Sequence, residues 1–254
     1  MSTLLKNKLF ISTRPSGQSD ELNRLLQAEG AETMDFPLIE IRPAKLSVQE
    51  KELLSEPDRF QWLILTSPNG VRSFFQILKE QEIDFLPEDL QVAVIGKATE
   101  KVLTSYGYSA AFVNPGNTGE DFAEAFIQQI KDTQRPQILL ALGNLARSVI
   151  QDALRDFAEC TRVNVYETVS SGSPDSKMIQ LIQNLAYEML IFTSPSAVQS
   201  FIRQIPGIPA ENVRMACIGE ITAREARKQG FRPLVVAEDA SARGIVDSII
   251  QFYS

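Results

Sequence analysis

Trp62-Leu63-Ile64-Leu65-Thr66-Ser67-Pro68-Asn69-Gly70-Val71-Arg72-Ser73-Phe74-Phe75 reads as a buried strand, a tight turn and the start of a helix. Leu63 to Thr66 is a short apolar run of the kind that forms a strand covered on both faces. Ser67 suits a helix N-cap and Pro68 the first helical position. Val71, Phe74, Phe75 and Leu78 then follow at i, i+3, i+4 and i+7, one apolar stripe of a helix. The same grammar returns 127 positions later as Met189-Leu190-Ile191-Phe192-Thr193-Ser194-Pro195-Ser196-Ala197-Val198-Gln199-Ser200-Phe201-Ile202. Further on, Val94-Ile95-Gly96-Lys97-Ala98-Thr99 matches Cys217-Ile218-Gly219-Glu220-Ile221-Thr222 at an offset of 123, and at that offset Gly107 meets Gly230 and Thr118 meets Ser241. A two-copy period this long means domain duplication, not a solenoid.

Outward from these turns, strands and helices alternate. Leu9 to Thr13 is a short strand, followed by a helix around Leu22, Leu25 and Leu26 that Gly30 ends. Val92 to Ile95 and Met215 to Ile218 are strands whose glycine opens a helix, and Thr118 with Asp121 suits a capping box before Phe122 and Phe126. Continuous apolar strands alternating with helices predict α/β architecture with parallel sheets covered on both faces. Two stretches, Met34 to Pro43 and Val163 to Ser171, alternate apolar and polar residues and read as exposed, partly two-stranded connectors. If they link the domains, residues 1–36 fold with 172–254, and 37–171 form the second domain. A split near residue 130, at the repeat boundary, is the alternative that the pattern leaves open.

Composition narrows the chemistry. The chain has 254 residues, 44% of them apolar and 22% charged, as in ordinary globular proteins. With no histidine there is no Ser-His-Asp or Cys-His pair, no HExxH helix and no imidazole shuttle. Cys160 and Cys217 form no CxxC and read as small buried hydrophobes. A net charge of −7 argues against nucleic acid and anionic membranes as partners. The apolar-rich uncharged stretch Met189 to Ile202 has 14 residues, below the roughly 20 mostly apolar residues of a membrane span. Without a secretory signal in Met1 to Pro15, the expected location is the cytoplasm.

Ligands of open parallel sheets bind beyond the carboxyl ends of the strands, where helix N-termini point. The candidate loops are therefore residues 13–19, 66–70, 96–99, 143–148, 193–197 and 219–222, rich in Ser, Thr, Gly and Asn. Arg14, Arg72, Lys97, Arg147 and Arg224 lie in or near them. Backbone amides and the positive helix end suit carboxylates or phosphates, so such a set of loops fits a multiply anionic ligand in an inter-domain cleft. GxGxxG is absent, and the Gly96-Lys97-Ala98 stretch fails the P-loop pattern at Gln91 and Ala98. No acidic cluster has metal-site spacing, so a site with no cofactor and no metal is expected. Tyr166 stands out in the polar connector Val165-Tyr166-Glu167-Thr168, where it either packs at the hinge, the reading the residues alone favour, or faces a cleft and gives a hydrogen bond or proton.

In these residues the sequence resembles the uroporphyrinogen-III synthase family. The resemblance spans essentially the whole chain: Ser12-Thr13-Arg14-Pro15, Phe36-Pro37-Leu38-Ile39, the two Ser-Pro turns, the two Ile-Gly turns and Val165-Tyr166-Glu167-Thr168. It implies two similar three-layer α/β/α domains with five-stranded parallel sheets, a swapped duplication joined by a two-stranded connector. That favours the discontinuous division over the split near 130. It also implies a cofactor-independent lyase of heme and porphyrin biosynthesis, cyclising linear hydroxymethylbilane with inversion of ring D and loss of water. The substrate carries eight carboxylates, and holding it in one conformation is most of the task.

Residue by residue, Tyr166 matches the family's connector tyrosine and is expected to assist departure of the hydroxyl. Thr99 and Thr222 match its paired threonines as substrate contacts. Ser194, Ser196 and Ala197 would offer hydroxyls and amides, and Arg14, Ser67 and Asn69 would meet carboxylates. Thr13, Gly96, Lys97 and Gly219 complete the expected binding set. Lys97 has Glu220 as its counterpart, so a basic role there is not shared by both turns, and Glu220 is expected to point away from a polyanion. A monomer is expected. The alternative from another class is a non-catalytic tetrapyrrole binder of the same architecture.

Overall fold

Residues 4–114, 116, 118–172 and 175–254 are described in a computed structural model of the chain. The first elements are β1 (Leu9–Ser12), α1 (Asp20–Ala28), β2 (Glu32–Asp35), β3 (Ile39–Pro43), α2 (Val48–Ser55), β4 (Trp62–Leu65) and α3 (Pro68–Glu80). Then come β5 (Gln91–Ile95), α4 (Gly96–Ser105), β6 (Phe112–Asn114), α5 (Gly119–Ile130), β7 (Gln137–Gly143), α6 (Val149–Leu154) and β8 (Glu159–Ser170). The last are α7 (Ser176–Gln183), β9 (Met189–Phe192), α8 (Pro195–Gln204), β10 (Met215–Cys217), α9 (Glu220–Lys228), β11 (Val235–Val236) and α10 (Ala242–Tyr253).

The repeated apolar runs become the central strands of two sheets. All four residues of β4 and all four of β9 are buried, because each strand has helices on both faces. Alternation sends Leu63 and Leu65 to one core and Trp62 and Ile64 to the other; Leu190 and Phe192 part from Met189 and Ile191 in the same way. In the first unit α1 and α10 cover one face through Leu22, Leu26, Ile245 and Ile249. There α8 and α9 cover the other face through Val198, Phe201, Ala223 and Ala226. In the second unit α5 and α6 oppose α3 and α4, with Phe122 and Phe126 on one side and Val71, Phe74 and Leu103 on the other. Phe74 and Phe201 are both 1% exposed, and truncating such a ring to Ala costs about 3–5 kcal/mol.

Strand order is β11-β10-β9-β1-β2 in one sheet and β3-β8-β7-β4-β5-β6 in the other. The pairs β1·β2, β1·β9, β9·β10, β10·β11, β4·β5, β4·β7, β5·β6 and β7·β8 are parallel. β9, β10 and β11 thus repeat β4, β5 and β6, while β1 and β2 stand where β7 and β8 stand. The helices α5 and α10 correspond residue for residue 123 positions apart, each capped by a hydroxyl, Thr118 Oγ1 on the amide of Asp121 and Ser241 Oγ on that of Gly244. The parallel α/β architecture expected from the strand-helix alternation is therefore present.

Four details differ from the sequence reading. The second sheet has six strands, because β3 adds beside β8 and extends its edge. The compact units are 1–40 with 169–254, and 41–168, so the chain changes unit within β3 and β8 instead of at 36/37 and 171/172. The reason is packing: Phe36, Leu38 and Ile39 enter the core beneath α8, and Val163 and Val165 enter the core beneath α3. Those connector stretches are therefore not exposed throughout, and Met34 and Asp35 belong to β2. The Thr118–Asp121 box is half made, the cap hydroxyl taking the amide without a reciprocal bond. Ser47 and Glu50 at α2 make both bonds, since glutamate has the extra methylene to reach back.

Within the first unit, Ser200 Oγ donates to the Leu38 carbonyl at 2.6 Å, and Gln204 Nε2 donates to the same oxygen at 3.0 Å. The far end of α10 is tied down by Tyr253, whose hydroxyl donates to Glu188 at 2.6 Å. Lys8 Nζ meets the same carboxylate at 3.2 Å.

Candidate functional site

In each sheet the helices after two adjacent central strands leave toward opposite faces, which opens a crevice at their carboxyl ends. The strands are β1 and β9 in the first unit, and β7 and β4 in the second. The second crevice holds Tyr166. Its hydroxyl lies 3.2 Å from Ser67 Oγ, and Ser67 is the N-cap of α3, accepting the amide of Gly70 at 3.0 Å. A half-buried phenol thus sits against the positive end of a 13-residue helix. A cavity of about 180 Å³ opens at the same sheet edge, lined by Thr66, Ile95, Gly119, Leu142, Ala146 and Arg147 among others.

Six helix starts follow a strand or turn marked by the repeat, and they divide by capping. α3, α8, α5 and α10 are capped by the hydroxyls of Ser67, Ser194, Thr118 and Ser241. α4 and α9, after the two Ile-Gly turns, have no side-chain cap. Gly96 opens α4 at φ 74°, a conformation that favours glycine. In the first turns of these uncapped helices stand Thr99 and Thr222, 2% and 3% exposed. Neither threonine hydroxyl is hydrogen-bonded among the described residues. Uncapped first-turn amides beside an uncommitted hydroxyl suit a carboxylate.

The other expected contacts are placed as follows. Thr13 is fully buried, and its hydroxyl donates to the Ile191 carbonyl at 2.8 Å across the β1–β9 crevice. Arg14 follows it, part-buried; burial lowers its pKa against the opposing pull of Glu21, and a guanidinium stays cationic there. Ser194 Oγ takes the amide of Ala197 at 3.2 Å and lies 3.0 Å from Ser196 Oγ, so the Ala197 amide is already used within the cap. Asn69 lies half-buried in the first turn of α3, Lys97 is exposed in that of α4, and Gly219 stands at the N-cap of α9. Glu220 is paired with Arg227 at 2.7 Å, which ties its carboxylate to a residue two turns along α9. Arg147 is likewise held, by two bonds to Glu120 at 2.6 and 3.0 Å.

Three features escaped the sequence reading: the capped-versus-uncapped division, the close approach of the Tyr166 ring to Gly143 at the end of β7, and a second cavity of about 460 Å³ in the first unit. That cavity is lined by Met34, Phe36, Pro37, Ser171, Met178 and Leu181 among others, and none of the expected contacts line it. The absence of a cap residue before Gly96 and Gly219 was the available signal for the first. Burial pushes the Cys160 thiol up to about 11 and the Cys217 thiol up to about 12, as fits structural positions. Among the described residues no group of three or more His, Cys, Asp or Glu could hold a metal, and no helix is long and apolar enough to cross a membrane.

Comparison with known proteins gives the same direction. The family model described as uroporphyrinogen-III synthase HemD matches residues 20–247. The porphyrin biosynthesis protein HemD of Ruminiclostridium josui is 27% identical over 98% of this chain, which spans half of that protein's length. The uroporphyrinogen-III synthase of Synechococcus elongatus is 28% identical over 98% of this chain and 96% of its own. Among solved structures, a mutant uroporphyrinogen III synthase of Thermus thermophilus superposes with a TM-score of 0.66 at 14% identity, over 96% of this chain and 98% of its own. The uroporphyrinogen-III synthetase of Helicobacter pylori gives 0.65 at 18% identity, over 96% of this chain and 99% of its own. These two share the fold. On the match of residues 20–247, the chain belongs to the uroporphyrinogen-III synthase family.

Proposed function

We propose that this chain catalyses its family's reaction, the cofactor-independent cyclisation of hydroxymethylbilane to uroporphyrinogen III with loss of water. The observation that carries the reading is the Tyr166 phenol at a strand-edge crevice, 3.2 Å from the hydroxyl that caps α3. Tyr166 gives its proton to the departing hydroxyl as the C–O bond breaks, and the water leaves an azafulvenium cation whose charge is shared with its pyrrole nitrogen. The substituted carbon of ring D attacks to form a spiro intermediate, which reopens and recloses with ring D inverted. The proton lost when the ring regains aromaticity restores the phenol. No strong nucleophile is needed, because the charge is delocalised through the pyrrole.

Thr99 and Thr222, with the uncapped turns that begin at Gly96 and Gly219, hold acetate or propionate groups. Arg14, Lys97, Asn69, Ser194 and Ser196 add further polar contacts. What supports this assignment is that the two buried threonine hydroxyls have no other partner among the described residues, while the hydroxyl of Thr13 does. The enzyme acts as a cytoplasmic monomer. The test is an isomer assay in which hydroxymethylbilane is generated in situ, the protein added, the reaction stopped by acid and oxidant, and uroporphyrins I and III separated. Isomer III above the protein-free control is the expected result. Isomer I alone from folded protein would overturn the reading and leave a non-catalytic tetrapyrrole binder.

A further inference from the structure

The strands β7 and β8 keep one register from Gln137 opposite Glu159 to Leu142 opposite Asn164, then slip, so that Gly143 lies opposite Tyr166. In a regular strand Tyr166 would share a face with Asn164, away from Val163 and Val165. With the extra residue in β8, Val165 and Tyr166 both pack on the core beneath α3. Re-aiming a side chain is what a bulge does.

The re-aimed ring lies where a side chain on residue 143 would be. A Cβ there would sit 2.4 Å from Tyr166 Cζ and 2.7 Å from both Cε2 and the phenolic oxygen. On another side of the ring a Cβ at Gly70 would be 3.8 Å from Cε1, an ordinary contact. Gly143 is not among the glycines at positive φ, so its backbone makes no demand for glycine. The backbone around it is also pinned. Arg162 Nη2 donates to the Gly143 carbonyl at 3.1 Å, the Asn144 amide donates to the Tyr166 carbonyl at 3.1 Å, and the Thr168 amide donates to Asn144 Oδ1 at 2.9 Å. When a methyl is added at 143, the ring is therefore what yields.

We propose that Gly143 is a positioning residue for the cyclisation: its missing side chain is the seat of the Tyr166 ring, and that seat holds the phenol at Ser67 on the first turn of α3. The inference rests on the reading of Tyr166 as proton donor to the leaving hydroxyl. Ser67 completes the placement by meeting the phenol with the oxygen that already caps α3.

The test compares Gly143→Ala, Tyr166→Phe and the double variant in the isomer assay, with melting curves and with nitration of tyrosine followed by peptide mapping. Gly143→Ala is expected to lower kcat to within about threefold of Tyr166→Phe, with KM little changed, and the double variant to be no slower than Tyr166→Phe. Nitration at Tyr166 is expected to quicken in Gly143→Ala, because the ring has left its seat. Wild-type kcat in Gly143→Ala beside a slow Tyr166→Phe would overturn the proposal, as would losses that multiply in the double variant. If Gly143→Ala does not fold, adding Tyr166→Ala must restore folding. Failure of that rescue would show that the backbone, not the ring, needs the glycine. Isomer III made at wild-type rate by Tyr166→Phe would instead overturn the proton-donor reading itself, an outcome distinct from the others.

Discussion

Three threonine-to-valine substitutions separate substrate contacts from structural bonds. Valine matches threonine in shape and in helix propensity, so each change replaces a hydroxyl by a methyl and little else. At Thr222, 3% exposed and with no bonding partner among the described residues, the free protein loses no hydrogen bond. Its stability is expected to stay level within about 0.5 kcal/mol, because the hydroxyl has no protein partner to lose and is not among the fully desolvated unpartnered atoms. If that hydroxyl meets a substrate carboxylate, its loss costs about 1.5–3 kcal/mol, or about 10- to 150-fold in kcat/KM. Thr99→Val is expected to behave alike. Thr13→Val gives the opposite pair of results, because its hydroxyl donates to Ile191 at 2.8 Å. The Ile191 carbonyl keeps the Thr13 amide at 3.1 Å, so the loss in stability is about 0.5–1.5 kcal/mol, with kcat/KM unchanged. Urea unfolding and initial rates of isomer III formation measure both quantities on one preparation. Thr222→Val that is as destabilised as Thr13→Val yet fully active would refute the reasoning.

Tyr166→Phe keeps the ring in its seat and removes one 3.2 Å hydrogen bond; turnover is expected to fall roughly 10- to 1,000-fold with little change in melting temperature. Isomer III rates and thermal melts check this together. At Glu188, burial favours the protonated carboxyl, but the Tyr253 hydroxyl and Lys8 outweigh it and hold the pKa below the usual carboxylate range. A pKa depressed by folding stabilises above the unfolded value, about 4.3, and that contribution is lost as pH falls through the folded value. The melting-temperature gap between wild type and Glu188→Gln should therefore be wide at neutral pH and close below about pH 4. With Cys160 at about 11 and Cys217 at about 12, the thiolate fraction at pH 8 is about 0.1% or less. Iodoacetamide is expected to label native protein far more slowly than urea-unfolded protein, and rapid labelling of native Cys217 would contradict its buried placement.

Local chemistry made much of this molecule legible before any coordinates. Runs such as Leu63–Leu65 and Met189–Phe192 have no polar residue to turn toward water, and their shortness and the Ser-Pro turn after each make them strands covered on both faces. The serines before Pro68 and Pro195 set where α3 and α8 begin, because a hydroxyl at that position satisfies an amide that the helix leaves open. The duplication was equally plain, since offsets of 127 and 123 are properties of the chain itself. The absence of histidine confined proton transfer to groups such as Tyr166 in the same direct way.

The relations between distant segments were decided by tertiary structure. That β1 and β2 complete the sheet begun by β9, and that β3 adds a sixth strand beside β8, follow from long-range hydrogen bonding that no local pattern encodes. Thr13 and Thr222 look alike in the sequence; one is bonded to a carbonyl 178 positions away and the other is not. Tyr166 meets Ser67 across 99 positions, and it does so because a one-residue slip against β7 turns its ring onto Gly143. Side-chain period and capping are set by neighbours along the chain, so the sequence alone specified such elements as β4, α3, β9 and α8 and where they start. Register, edge pairing and the choice of hydrogen-bond partner depend on which strands lie side by side, and only the folded chain brings those together.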